Sequence, residues 1–595
     1  MMAPHGGPGA SSGAAAASVP RIVPPPPSEA SAVREALAKD INGPLFVADL
    51  LLARGIRDKE SARAFFLPEP APAMDEAGAL RGIGQAVALL TGARARGERV
   101  AVHGDYDVDG VTGTAVLYLG LRALGFDADW ILPNRFDGGY GMTPRTLDQI
   151  KERGAAWVVT VDTGVSAVAE TEYARSLGLR VIITDHHQAP PVLPAAEVIL
   201  NPNQPGCPYP NKGLSGCGVA WRLLEALAES LRREPARPGV PPAPYVDASM
   251  YLDLVALGSL ADNVPLNGEN RGLVRAGLRR MASSRNVGLR VLLERTGVDA
   301  ASFTTSDILF RVTPLLNASG RMGSPETSLK LFLAADEREA HRHVDKMEAA
   351  NGKRRTLDQA NTADALAMVE RAHREDASLV VHSREWHEGV IGIVAARLVD
   401  HYRRPSFVLS VDESGMAKGS GRTVRGFNLH EALSAHAHLF EKWGGHAFAC
   451  GFSIREENIP AFRDAMVERA RALFAEGPPP PEVAATLGVD LREITDEGLL
   501  WLRRFEPFGP RNEAPLFYVE DVPLYGRPRT VGEKHLKFAV QAHGSAMPLD
   551  AIGFNLGHLI DRFEGRDRLD KVVFHPEWNV FRGQKKIQLR VVALE

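Results

Sequence analysis

The stretch that decides the reading is His103-Gly104-Asp105-Tyr106-Asp107-Val108-Asp109-Gly110, which follows the apolar run Val100-Ala101-Val102. It puts an imidazole and three carboxylates at the end of a short β-type segment. The pattern then recurs. Trp157-Val158-Val159-Thr160-Val161 ends in Asp162, Val181-Ile182-Ile183-Thr184 ends in Asp185-His186-His187, and Leu257-Gly258-Ser259-Leu260-Ala261 ends in Asp262. Elements that each deliver an acid or imidazole at an exit turn predict a parallel α/β sheet with a ligand site beyond its carboxyl edge.

Taken singly, each motif is ordinary. An Asp-X-Asp in a loop is commonly a turn or helix N-cap, and a His-His pair is commonly surface or satisfied core. Four such clusters in one α/β region call for a shared reason. Asp and His donors without thiolates suit Mn²⁺ or Mg²⁺. Two such ions about 3.5–4 Å apart clamp an in-line phosphoryl displacement and need about six or seven protein ligands. His103, Asp107, Asp109, Asp162, His186 and Asp262 supply that number. In an exit loop, Asp107 and Asp109 can point to the same side and serve different ions. Gly104, Gly110 and Gly164 leave the backbone room for sharp turns.

At 595 residues the chain should hold several domains. Hydrophobic residues make up 45% and charged ones 24%, an ordinary globular composition. The net charge of −4 advertises no polyanion partner, so any nucleic-acid surface must be a local basic groove. Three cysteines, Cys207, Cys217 and Cys450, without CxxC spacing argue against a disulfide framework or zinc ribbon and for a reducing, cytoplasmic setting. No run approaches the roughly 18 apolar residues of a membrane span, and no signal peptide is expected.

The expected organisation begins with a disordered Ala/Gly/Ser/Pro tail over 1–40 and a helical segment over 41–98. Strand and amphipathic helix alternate over 99–335, with strands near 99–103, 129–132, 157–162, 181–184 and 198–200. A Pro-rich surface loop spans 235–244. A connecting helix covers 336–373, and a second α/β domain covers 374–475, including a Gly-rich stretch near 415–426. After a linker around Glu476-Gly477-Pro478-Pro479-Pro480-Pro481, residues 482–595 read as short alternating strands of a small antiparallel barrel. Trp578, Phe581, Arg582, Lys585, Lys586 and Arg590 there combine aromatics with cations, the ingredients of single-strand binding.

HGDYDVDG, VDTGVS, TDHH and LGSLADNVPL stand in the order of motifs I to IV of the DHH phosphoesterase superfamily. The chain resembles in particular its RecJ family of single-strand-specific 5′→3′ DNA exonucleases. The resemblance runs from about 40 to 595. It includes LPNRFDGGYGM (Pro133, Asn134, Arg135, Gly139, Tyr140, Gly141), LLNASGRMG (Asn317, Gly320, Arg321), WHEGVIGIVAARL, GSGR and GGHAFACGF.

It implies two α/β domains, DHH and DHHA1, joined by a long helix, with a C-terminal OB-type antiparallel β-barrel. His103, Asp107 and Asp162 resemble the ligands of one metal, and Asp109, Asp162, His186 and Asp262 those of the other, with Asp162 bridging. His187 would contact phosphate or act as an acid. Asp185 would orient an imidazole from behind, and Asp105 is assigned a similar supporting place. Substrate contacts are expected from Arg135, Asn317, Arg321, Ser420 and Arg422, and from Gly444, Gly445 and His446, where a Gly-Gly turn would offer N–H groups to an anion.

The activity implied is two-metal release of 5′-mononucleotides from single-stranded DNA during repair and recombination. The implied setting is a cytoplasmic monomer, with single-strand-binding protein and a RecQ-type helicase as partners. Two other readings are a phosphodiesterase of short oligoribonucleotides or cyclic dinucleotides and a non-catalytic DNA-binding replication scaffold. The first is compact and lacks the terminal barrel; the second loses metal ligands that this chain keeps. In Pro507-Phe508-Gly509-Pro510-Arg511-Asn512-Glu513-Ala514-Pro515, Arg511 stands where the family pattern has Gly, and Glu513 where it has Pro.

Overall fold

The computed structural model describes residues 20–26, 31–68, 79–134, 141–233, 242–299, 303–475, 477, 481–532, 534–542, 548–581 and 584–595. It divides into two compact units, one of Pro68–Pro478 with Pro507–Asn512, the other of Met1–Leu67, Pro479–Glu506 and Glu513–Glu595.

The first unit is built on a five-stranded, all-parallel sheet in the spatial order Ala128–Ile131, Val100–His103, Trp157–Thr160, Arg180–Thr184, Val198–Leu200. Alternate residues face opposite layers. Val100, Val102, Trp157 and Val159 pack into one core with the helices Val108–Ala123 and Gly216–Arg233, while Ala101, Val158, Val181 and Ile183 pack into another with Leu147 and Ile150. Burial on both faces accounts for strands that read as continuous apolar runs. From Val100–His103 the chain crosses to one neighbour, then returns to the other side. The strand order therefore reverses at Val100–His103, and the crevice for a ligand opens at its carboxyl end.

Asp336 caps the helix Glu337–Met368, accepting from the Glu339 N–H at 2.8 Å. Its 32 residues extend roughly 48 Å. Beyond it a mixed sheet runs Phe440–Gly445, Ala449–Arg455, Met416–Arg422, Ser406–Val411, Leu379–Ser383, with only the last pair parallel. The Gly-rich stretch near 415–426 is thus largely the central strand Met416–Arg422 of this sheet.

The second unit carries a seven-stranded sheet from Leu487–Gly488 to Gln584–Leu594. Antiparallel pairing dominates, with parallel pairs at Leu487–Gly488 and between Leu549–Gly553 and Gln584–Leu594. The expected disordered tail does not hold to residue 40. Arg21–Val23 pairs in parallel with Glu482–Ala484, Ile22 is buried against Tyr518, Val573 and Ala593, and Ser31–Ile41 is a helix. The apolar Ile22 supplies the drive that composition alone conceals. The helical segment is also divided: residues to Leu67 belong with the C-terminal sheet, where Phe66 packs on Trp501 and Phe505, whereas Ile83–Ala95 packs on the parallel-sheet core.

Among the described residues, no helix is long and apolar enough to cross a membrane.

Candidate metal centre

Asp107 is the N-cap of Val108–Ala123, its Oδ1 accepting from the Gly110 N–H at 3.0 Å. The everyday reading of Asp-X-Asp thus holds for Asp107, and the cap fixes the turn that aims Asp109. Asp109 is buried, and two backbone N–H groups hold its carboxylate: Gly216 donates to Oδ2 at 2.7 Å and Cys217 to Oδ1 at 3.1 Å. These donors open the helix Gly216–Arg233, whose dipole favours an anion there. Ser215-Gly216-Cys217-Gly218 was not picked out from sequence; its run of small residues before an amphipathic helix was the available sign.

Asp162 follows the strand Trp157–Thr160 in the left-handed region, at φ 62°. Asp tolerates that region better than most residues, and strain of this kind collects at functional sites. Its N–H donates to Thr184 O at 3.0 Å, and a Cβ on Gly216 would lie 2.5 Å from its own Cβ. A side chain at 216 would therefore displace Asp162.

Asp262 departs from expectation. Leu252–Ala261 is a helix and Asp262 its C-cap, so this acid arrives from a helix end, not a strand end. Val255, Leu257 and Leu260 are nearly all buried, and a fully buried helix reads like a buried strand.

The groups converge. Asp109, His186 and Asp262 bring ligand atoms within 4.8 Å of one another, as do Asp162, His186 and His187, and Asp105, Asp107 and Asp162. His186 Nε2 lies 3.0 Å from Asp162 Oδ1 and 3.8 Å from Asp262 Oδ2, yet makes no hydrogen bond. His103, fully buried, sets Nε2 3.1 Å from Thr146 Oγ1 and leaves Nδ1 buried and unbonded. It falls outside the three convergent sets, and Asp105, expected only in support, stands inside one.

Electrostatics match a cation site. Burial, then the Asp262 and Asp107 carboxylates, raises Asp109 well above the usual carboxylate range; burial and the surrounding acids do the same to Asp162. Burial, with Asp107 next, pushes Asp262 up to about 7. Burial lowers His103 and His186 to about 4, which keeps both imidazoles neutral and able to coordinate. Crowded carboxylates and buried ring nitrogens without partners fit Mn²⁺ or Mg²⁺, which would cancel the repulsion. Asp185 accepts from the Val165, His186 and His187 N–H groups and faces His187 Nδ1 at 2.7 Å. It steadies His187, while His186 is left to face Asp162.

A cavity of about 300 Å³ opens over Asp105, Asp107, Asp109 and His187 and reaches Asn317 and Arg321. A second, of about 490 Å³, shares Tyr106 and Arg321 with it and extends to Ser420, Arg422, Lys442 and Trp443. Arg422 donates through Nη1 to Ser420 Oγ at 3.0 Å and to Gly421 O at 2.7 Å. Gly444, Gly445 and His446 do not line this cavity. Gly444 and Gly445 pair in a strand with Gly451 and Cys450, so they form no anion-binding turn. Lys442 and Trp443, one strand step earlier, line it instead. Arg135 lies outside the described residues, as does Arg582 and the Phe581 side chain. The Trp578 ring is covered by Lys585 Nζ at 3.6 Å and Arg503 at 4.9 Å. Arg511 adopts φ 62°, the conformation a glycine takes most easily.

Family models match three stretches: the DHH family N-terminal domain over 99–259, the DHHA1 domain over 376–472 and the RecJ OB domain over 487–593. The chain is 36% identical over 561 residues to the single-stranded-DNA-specific exonuclease RecJ of Bacillus subtilis, covering 94% of this chain and 69% of that protein. It superposes on Thermus thermophilus RecJ in complex with Mn²⁺ at a TM-score of 0.78 with 30% identity, covering 97% of this chain and 79% of the other. With the Mg²⁺ complex of that protein the TM-score is 0.74, at 30% identity and 97% and 78% coverage.

Proposed function

The chain belongs to the RecJ family, and on that footing we propose that it is a single-stranded-DNA-specific exonuclease working from the 5′ end and releasing 5′-mononucleotides. The observation that carries this reading is a pair of cavities with two wall residues in common. One is walled by the acid and imidazole cluster and the other by Ser420 and Arg422, with Tyr106 and Arg321 common to both.

His103, Asp107, Asp109, Asp162, His186 and Asp262 are the residues that would hold two divalent ions. When bound, Mn²⁺ or Mg²⁺ supplies a nucleophile near neutral pH and offsets charge on the phosphate. Asp162, central to two of the convergent sets, keeps those ligands in register. Arg422, aligned by Ser420, grips the terminal 5′-phosphate by charge-assisted hydrogen bonds, so the cluster receives the next phosphate along. Water adds to that phosphorus and its bond to the 3′-oxygen breaks. His187, at the cavity wall and charged at neutral pH, gives the departing oxygen its proton. The terminal nucleotide leaves with a 3′-hydroxyl, and the shortened strand keeps a 5′-phosphate.

The RecJ OB match and the seven-stranded sheet support this reading over a compact oligoribonucleotide or cyclic-dinucleotide phosphodiesterase, and the intact acid cluster supports it over a scaffold. A cytoplasmic setting is in keeping with three buried free thiols. A monomeric state, with single-strand-binding protein and a RecQ-type helicase as partners, rests on the family reading alone.

Mn²⁺-dependent digestion of strands labelled at either end tests the assignment. Early mononucleotide release from the 5′ label of single strands, with duplex and RNA spared, is expected. Early release from the 3′ label would reverse the polarity.

A further inference from the structure

We propose that Gly389, seated on the backbone of Arg321, is the spacer that holds the 5′-phosphate grip one nucleotide from the cleavage cluster. The inference rests on the reading above, in which Ser420 and Arg422 take the terminal phosphate.

Cleaving after one nucleotide needs a fixed distance between two groups carried by different sheets, and a series of close approaches at glycines sets it. In the cluster loop, the Tyr106 carbonyl oxygen lies 3.1 Å from where a Cβ on Gly320 would stand. One residue on, a Cβ on Gly389 would lie 2.3 Å from the Arg321 carbonyl oxygen and 2.9 Å from Met322 Cε. Three residues further, a Cβ on Gly392 would lie 3.1 Å from Ser420 Oγ and 3.2 Å from Arg422 Nη2. These contacts form a column from the cluster loop to the grip, along the wall that the two cavities share.

Gly389 controls the column. Its φ is not among the left-handed ones, so glycine is there for close approach and not for torsional freedom. Its nearest neighbour is backbone, which cannot swing aside, whereas Gly392 meets side-chain ends that can. A methyl at 389 must open the contact from 2.3 Å toward 3.4 Å. Misplacement on the order of 1 Å is enough to cost about a hundredfold when two sites must engage one substrate together.

The test compares Gly389→Ala and Arg422→Ala by two measurements. The first is binding of thymidine 5′-monophosphate in EDTA. The second is the ratio of kcat/KM for 5′-phosphorylated over 5′-hydroxyl strands with Mn²⁺. Gly389→Ala should bind the mononucleotide within about twofold of the parent, because the grip is intact, yet lose about tenfold or more of the 5′-phosphate advantage. An unchanged advantage, or a parallel loss of mononucleotide binding, would overturn the spacer. Arg422→Ala should lose both; retained mononucleotide binding there would instead overturn the phosphate-grip reading. If Gly389→Ala does not fold, Gly320→Ala, which tightens the same column by a milder 3.1 Å contact, carries the same two measurements and the same overturning results.

Discussion

His187 turns Nδ1 onto Asp185 Oδ1 at 2.7 Å, while His186, one residue earlier, turns Nε2 to within 3.0 Å of Asp162 Oδ1. Adjacent imidazoles thereby take opposite protonation states. Burial and the His187 charge drive His186 down to about 4. Against the burial that opposes it, the Asp185 hydrogen bond and neighbouring carboxylates lift His187 to about 9. One ring is left neutral and able to coordinate, the other charged and able to donate.

In the metal-free protein, Asp185→Asn should bring the His187 titration down from about 9 toward the ordinary value near 6.5. A raised folded-state pKa contributes stability that is full below the unfolded value and lost as pH rises through about 9. Asp185→Asn should flatten that alkaline slope. Ring NMR follows the titration directly; a value still near 9 would assign the lift to other carboxylates.

Asp162 combines a place in two of the three convergent sets with a left-handed φ of 62°, so the two obvious substitutions differ. Asn tolerates that conformation, whereas Ala pays about 1–2 kcal/mol for it. Asp162→Asn should lower Mn²⁺-dependent hydrolysis at least about a thousandfold, roughly 4 kcal/mol of barrier, with the fold retained. It should also melt higher than the metal-free parent, since a buried, repelled carboxylate becomes neutral. Mn²⁺ at a hundredfold excess over Kd should stabilise the parent by about 2.7 kcal/mol and Asp162→Asn far less. Equal Mn²⁺ shifts in calorimetry would remove Asp162 from the centre.

His575 lies in the strand Arg568–Phe581 with Nδ1 2.9 Å from Pro515 O, and burial, aided by Arg590, lowers it to about 4. A lowered histidine contributes stability that is present above the unfolded value near 6.5 and lost as pH falls through about 4. His575→Gln should make the melting of the C-terminal sheet less sensitive to acid across that window. Parallel pH–melting curves for parent and variant would refute the assignment.

Lys585 and Arg503 lie against the Trp578 ring, whose Nε1 donates to Asp496 Oδ1 at 2.6 Å. That ring is already occupied, so its cations, not a stacked base, should contribute to strand binding. Removing both by Lys585→Ala and Arg503→Ala should reduce the salt slope of single-strand binding by about 1.4, at about 0.7 per phosphate contact. Anisotropy titrations from low to moderate salt read the slope; no change would place the strand elsewhere.

Wherever neighbours in the chain are also neighbours in space, the sequence alone determined the outcome. Asp107 and Asp109 must share a turn, Asp162 and His186 must each follow a strand, and strand–helix alternation leaves few other arrangements for 99–200. Tertiary structure decided what depends on chain segments far apart. It brought Gly216 N–H to Asp109 across 107 residues and put Asp262 on a buried helix whose apolar run mimics a strand. It turned His103 onto Thr146, and it placed Lys442 and Trp443 at the cavity while Gly444 and Gly445 joined a sheet. It also gave Ile22 a partner strand some 460 residues away. The physical reason is common to all of these. A side chain's local period says which face it occupies, but its contacts are settled only when another element covers that face.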